Sequence, residues 1–195
     1  MRYRPCLLVV LASGVVSTLY SAPEPKAPVL FCATAVATQW KYSGEAQTIA
    51  TVTAAERKGG DTVITVKTKL QSVEIHEEKL RVSSKGLFRV IPNGGGEECR
   101  LKLPPTPGEK WEVEYTDGPF NYKAKYVCRG VNRIRVPAGE FRAIRVDWEY
   151  SYGPLNAGVV TNWYVAEIGL VRQTRKNADG TEEVIRELKS FSPGR

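Results

Sequence analysis

The stretch that decides the fold runs from Tyr122 to Tyr150 and reads YKAKYVCRGVNRIRVPAGEFRAIRVDWEY. Its first part alternates. Tyr122, Ala124, Tyr126 and Cys128 fall on one side of an extended chain, with Lys123, Lys125 and Arg129 on the other. Pro137-Ala138-Gly139 then makes a tight corner, with Gly139 free to take a positive φ. Beyond the corner, Ile144, Val146, Trp148 and Tyr150 share one side, opposite Arg145, Asp147 and Glu149. A period of two, with one apolar and one charged side, marks an antiparallel strand pair that buries a single face.

The same pattern continues on both sides of this stretch. Turn signals recur at Gly59-Gly60-Asp61, 93–96, 104–108, Asp117-Gly118-Pro119 and Asp179-Gly180. Asp117-Gly118 is expected to join Trp111–Tyr115 to Phe120–Arg129. The corner at Pro137 joins Val131–Val136 to Glu140–Tyr150, and Asp179-Gly180 joins Leu170–Lys176 to Glu182–Phe191. No convincing amphipathic helix follows residue 28; only Glu74–Lys79 is charged enough for a helical turn. The fold class is therefore all-β. It is a single domain with a strongly curved antiparallel meander sheet, either a half-barrel or an open barrel. An internal echo points to two similar β units. Residues 79–89 and 162–172 repeat Val, Gly, Leu and Arg in register, and an aromatic strand start lies upstream of each, at Trp40 and Trp111.

Residues 1–22 stand apart from this pattern. Arg2 and Arg4 precede the apolar run Cys6–Val16, and small residues follow at Ser17, Ser21 and Ala22. This is the layout of a signal peptide, too short to span a bilayer. Residues 23–28 form a Pro-rich linker, and the β domain is expected over 29–192. The expected destination is the periplasm or the extracellular space, with no integral membrane segment. The formal charge of the whole chain is +7, and removing Arg2 and Arg4 leaves +5. That balance suits an anionic surface as neighbour. Nucleic acid is not expected, because no basic helix, Cys/His finger or single-strand-binding signature is present.

Three cysteines follow the signal: Cys32, Cys99 and Cys128. An oxidising compartment permits one bridge, and Cys99–Cys128 is the preferred pair, worth about 3–4 kcal/mol on the chain-entropy model. Three buried thiols are the alternative.

The inventory for catalysis is thin. His76 is the only histidine, the cysteines have no close ligand spacing, and no metal or cofactor is expected. There is no G-x-S-x-G elbow for a nucleophilic serine. Asp147 and Glu149 lie about 7 Å apart on one strand face. Arg133, Arg135 and Arg145 nearby make cross-strand ion pairs the expected role of that pair. Residues 93–96 lack the Lys-Ser/Thr of a phosphate loop. Two features remain. Eleven tryptophan and tyrosine residues from Trp40 to Tyr164 either fill the core or line a groove for an acyl chain or sugar rings. Lys123, Lys125, Arg129, Arg133, Arg135 and Arg145 form a basic face.

Gly108-Glu109-Lys110-Trp111, Val136-Pro137-Ala138-Gly139-Glu140-Phe141, Thr161-Asn162-Trp163-Tyr164-Val165 and Gly169-Leu170-Val171-Arg172 occur in this order. Together they resemble a family of exported bacterial β-domains of unknown function, with G-x-x-W, V-P-A-G-x-[FY], WY and GLV elements. That family is similar, at the level of fold, to the curved-sheet lipoprotein carriers of the LolA/LolB type. The resemblance implies an open barrel that holds acyl chains.

The leading expectation is a non-catalytic binding protein of the cell envelope, with a lipid or other apolar or amphipathic ligand. Its groove would carry Tyr126, Ile144, Val146, Trp148 and Trp163. A structural or partner-binding envelope protein without a small-molecule ligand is the alternative. An enzyme ranks third.

Overall fold

Residues 29–117, 120–152, 156–177 and 179–195 are described by a computed structural model of the chain. The expected signal peptide (1–22), the linker (23–28) and the turn at 118–119 lie outside the described residues. Twelve strands follow in order: β1 (Gln39–Gly44), β2 (Thr48–Lys58), β3 (Asp61–Leu70), β4 (Val73–Ser83), β5 (Gly86–Val90), β6 (Glu97–Lys102), β7 (Lys110–Asp117), β8 (Phe120–Val136), β9 (Gly139–Tyr152), β10 (Asn156–Val165), β11 (Gly169–Lys176) and β12 (Glu182–Ser192). The expected hairpins at 117–120, 136–139 and 176–182 are all present, as β7–β8, β8–β9 and β11–β12. The stretches Phe120–Arg129 and Val131–Val136 run on as one strand. Gly130, at φ 82°, absorbs a bulge between them.

Glu74–Lys79 is strand rather than helical turn. Its alternate residues meet β3 across the ladder, where Lys67 pairs with Glu74 and Glu77 at 3.2 and 3.1 Å. Cross-strand pairing therefore outweighs the weak local helical preference of the charged run.

All twelve strands form one sheet in the order β6-β5-β4-β3-β2-β1-β12-β11-β10-β9-β8-β7, with every pair antiparallel. A shift of six strands along this order carries β1–β6 onto β7–β12. The echoed segments then correspond, because residues 79–89 build β4–β5 and 162–172 build β10–β11. Gly86 and Gly169 open the return strand of each at positive φ, 149° and 109°. Trp40 and Trp111 stand near the starts of β1 and β7.

The sheet curls until it is nearly closed. The two halves are joined differently at their two junctions. β1 pairs with β12 through a ladder with one register shift, between Lys41 and Tyr42. The equivalent edges, β6 and β7, have no ladder between them. Side chains span that seam instead. Trp111 Nε1 donates to the Cys99 carbonyl at 2.8 Å, and Lys102 pairs with Glu109 at 3.1 Å. Because the meander is antiparallel throughout, the start of β1, the end of β12 and the β10–β11 turn lie at the same end of the barrel. The segment before β1 packs there. Glu167 N–H donates to the Leu30 carbonyl at 2.8 Å, and Thr38 is fully buried with its hydroxyl accepting from Gly194 N–H. Val52, Ile64, Val82, Leu101, Val146 and Leu188 fill the inside of the curve as a continuous core.

Candidate functional site

The interior is not filled completely. A cavity of about 340 Å³ lies inside the barrel, lined by residues from β1–β6 and β8–β12 and by Cys32 of the N-terminal segment. Its size falls within the ~300–1,000 Å³ typical of small-molecule sites.

One wall is aromatic. Trp111, Tyr126 and Trp148 are register partners on β7, β8 and β9, so their side chains project from the same face. Their rings stack: Trp111–Tyr126 at 5.3 Å and 2°, Tyr126–Trp148 at 5.7 Å and 4°. Tyr150 continues the row, tilted against Trp148 at 5.0 Å. Each such contact adds about 0.5–1.5 kcal/mol beyond area burial. Tyr126, Trp148 and Tyr150 line the cavity. The Trp148 Nε1–H is buried and has no partner among the described residues, a donor whose desolvation costs about 1–3 kcal/mol when unmet.

A second wall is ionic. Glu98 on β6 is almost fully buried. It accepts hydrogen bonds from the hydroxyls of Tyr126 and Tyr122, the latter at 3.3 Å, and lies 3.5 Å from Arg89 and 3.7 Å from Arg100. Arg100 also pairs with Glu78 of β4 at 2.9 Å. Burial alone would push the Glu78 carboxyl up. The Arg100 guanidinium, with His76 and Arg186, outweighs it and holds Glu78 well below the usual carboxylate range. Burial likewise opposes the charge on Arg100, and Glu78 and Glu98 restore it. Burial, and then Glu98, push the Tyr126 hydroxyl far up, so it stays a donor.

A polar chain crosses β12, β11 and β10. Arg186 Nε donates to Gln173 Oε1 at 3.1 Å, Gln173 Nε2 to Asn162 Oδ1 at 2.8 Å, and Asn162 Nδ2 to the Tyr164 hydroxyl at 3.2 Å. All four residues line the cavity. Part of the apolar lining lies beside the N-terminal segment. There Trp40 Nε1 donates to the Ile168 carbonyl and Tyr42 donates to that of Leu170, each at 2.8 Å. Cys32 is buried beside Gly169, and burial pushes its thiol up to about 12.

Of the five residues expected in a groove, Tyr126 and Trp148 reach the cavity together. Ile144 and Val146 share their face but sit in the packed core beneath it. Trp163 faces the other way. It pairs with Arg145 across the ladder, while its neighbours Asn162 and Tyr164 face inward, and its ring lies between Arg145 and Arg172 at 5.8 and 5.6 Å. The bridge expected between Cys99 and Cys128 is not formed: both are free thiols, as is Cys32. The strands of Cys99 and Cys128 share no ladder, β6 being one edge of the sheet and β8 lying next to the other.

The basic face is a lattice of ion pairs. Lys123 meets Glu114 at 2.9 Å, Lys125 meets Glu112 at 3.9 Å, and Arg129 and Arg145 both meet Asp147 at 2.8 Å. Among the described residues, no group of three or more His, Cys, Asp or Glu side chains is placed to hold a metal, and no helix is long and apolar enough to cross a membrane.

The interior charges went unforeseen, yet a signal was present. Glu78 is in phase with Leu80 and Val82, and Arg186 with Leu188. A charge in the apolar phase of a strand marks either a register change or a buried polar site.

No protein-family model matches the chain, and no curated protein matches it. Two solved structures share its architecture. A protein of Bacteroides fragilis described as exported, with a YmcC-like fold, matches with a TM-score of 0.63 at 12% identity, over 84% of this chain and 99% of that one. A protein of Parabacteroides distasonis described as a lipoprotein matches with a TM-score of 0.61 at 14% identity, over 84% and 99%. The fold is what they share. At these identities the YmcC-like fold carries no activity or ligand with it, and the motifs quoted above and the likeness to LolA/LolB carriers do not enter into the match.

Proposed function

We propose that the chain is an exported, non-catalytic binding protein of the cell envelope, which holds one apolar or amphipathic small molecule inside its barrel. The observation that carries this reading is the cavity itself. A core meant only for stability closes such a space, because interiors pack at crystal density and voids cost stability. Here about 340 Å³ stays open, and the aromatic row of Tyr126, Trp148 and Tyr150 faces it. The signal-like N-terminus and the exported or lipoprotein descriptions of the two structural neighbours support the location.

Titration with the apolar dye N-phenyl-1-naphthylamine tests the proposal. Its fluorescence should rise to saturation at one dye per chain. Val160→Trp, which fills the cavity beside Trp148, its partner in the ladder, should abolish the rise while the fold is kept. An equal rise in both proteins would place the dye on the outer surface and sink the proposal.

One observation favours partner binding as a second reading. The tip of the β3–β4 hairpin exposes Leu70, Val73 and Ile75, at 37%, 66% and 52%. Three neighbouring exposed apolar side chains suit contact with another envelope protein. Loss of that contact in a Val73→Ser/Ile75→Ser variant, with dye binding intact, would separate the two readings.

A further inference from the structure

We infer that the ligand is an anionic amphiphile, one acid group on an apolar chain, and that Arg186 receives the acid. This rests on the binding reading above and names the chemistry of its ligand.

The argument starts with the cavity's cations. Arg100 is already committed, to Glu78 at 2.9 Å and Glu98 at 3.7 Å. Arg186 is not. Among the described residues no carboxylate lies within ion-pair distance of it, and of its guanidinium nitrogens only Nε has a hydrogen-bond partner there, Gln173. The Tyr42 ring, 5.7 Å from the guanidinium carbon, supports it from one side. Glu78, whose carboxyl the half-buried Arg186 helps hold down, acts on it only from beyond contact distance, so the guanidinium keeps donors free for a group that reaches it.

The hydrogen-bond chain adds direction. Arginine has only donors, so Gln173 must turn its oxygen to Arg186. Its amide nitrogen is then left to donate, and Asn162 must present its own oxygen. Asn162 in turn donates to the Tyr164 hydroxyl. That hydroxyl accepts a hydrogen bond from the chain and has its own O–H to give. The chain thus leaves donors at both ends, the free guanidinium nitrogens and the Tyr164 O–H. The unpartnered Trp148 N–H is a third donor on the same cavity. Such a surplus calls for an acceptor-rich group, and a negative charge answers the unpaired arginine. The apolar chain has its own wall, made by Trp40, Ile168 and Leu170 near the N-terminal segment. A carboxylate and a phosphate share this chemistry.

Calorimetric titration of the full chain with dodecanoate, dodecyl phosphate and dodecan-1-ol, each below its aggregation threshold, tests the inference. At least one acid should bind about tenfold or more tightly than the alcohol, the scale of a charge-assisted contact. Whichever acid binds better tells a fatty carboxylate from a phosphate headgroup. In Arg186→Gln the acid should fall to the affinity of the alcohol, with the alcohol unchanged. Gln173→Leu should weaken the acid alone. Equal binding of acids and alcohol by the unmodified protein would overturn the inference and leave the binding reading standing; that comparison needs no variant to fold. An acid preference that survives Arg186→Gln would also overturn it. No binding of any of the three would remove both.

Discussion

Glu98 is the group whose removal should cost most. It is 2% exposed and lies where the two free edges of the sheet meet. Four side chains converge on it: Tyr126, Tyr122 at 3.3 Å, Arg89 at 3.5 Å and Arg100 at 3.7 Å. Glu98→Ala deletes the common acceptor and leaves a buried hydroxyl and a buried guanidinium short of a partner. Breaking a buried ionic cluster costs about 3–5 kcal/mol. Arg100 keeps Glu78 at 2.9 Å, so the low end applies, about 3 kcal/mol. For a chain of 195 residues that corresponds to a fall in Tm of about 6–12 °C. Glu98→Gln keeps the shape and one acceptor oxygen and should lose about half as much. Tyr126→Phe removes one charge-assisted hydrogen bond and should cost about 1.5–3 kcal/mol. Equilibrium unfolding by circular dichroism on the singles and the Glu98→Ala/Tyr126→Phe double closes a mutant cycle. The cycle should give a coupling of at least about 0.5 kcal/mol. A Glu98→Ala loss within about 0.5 kcal/mol of zero, or strict additivity, would refute the idea that this cluster ties β6 to β8 across the open seam.

Other outcomes follow from the same geometry. The Glu78 carboxyl is held below its unfolded value of about 4.3; its contribution is therefore present above that pH and lost as the pH falls through the folded value. Unfolding free energies measured from pH 7 to pH 3 should fall less steeply for Glu78→Gln than for the unmodified protein, and parallel slopes would contradict this. Ellman titration of residues 29–195 in denaturant should count three thiols, with Cys32 silent in the native protein because its thiol is pushed up to about 12; a count of one would mean a disulfide. Gly86→Ala places a Cβ against the Leu101 carbonyl at a φ of 149° and should cost at least about 1–3 kcal/mol by thermal unfolding, whereas Gly60→Ala, with open space around it, should change little.

Much of the fold was legible because strand period, turn chemistry and pairing agree. Between Tyr122 and Tyr150 each local choice points to the same hairpin, and the observed register follows it. The 79–89 and 162–172 echo was also readable, since a Gly after a short turn is needed in both halves. The site was harder to read. Trp148 follows from simple alternation, but Trp163 does not: the motif around it supplies an aromatic without its phase, and only pairing with Arg145 shows that it faces outward. Glu78, Glu98, Arg100 and Arg186 come from three strands, and their meeting depends on how far the sheet curls. No single stretch of sequence encodes that. How Cys99 stands to Cys128 is likewise set by strand order, which no single stretch encodes.

The central claim is that the barrel interior holds a ligand. Native mass spectrometry of the protein released gently from its own envelope tests it most directly, alongside Val160→Trp prepared in the same way. We expect a one-to-one adduct that solvent extraction removes, present on the unmodified protein and missing from the variant. The bare chain mass in both preparations, or the same adduct on both, would contradict it.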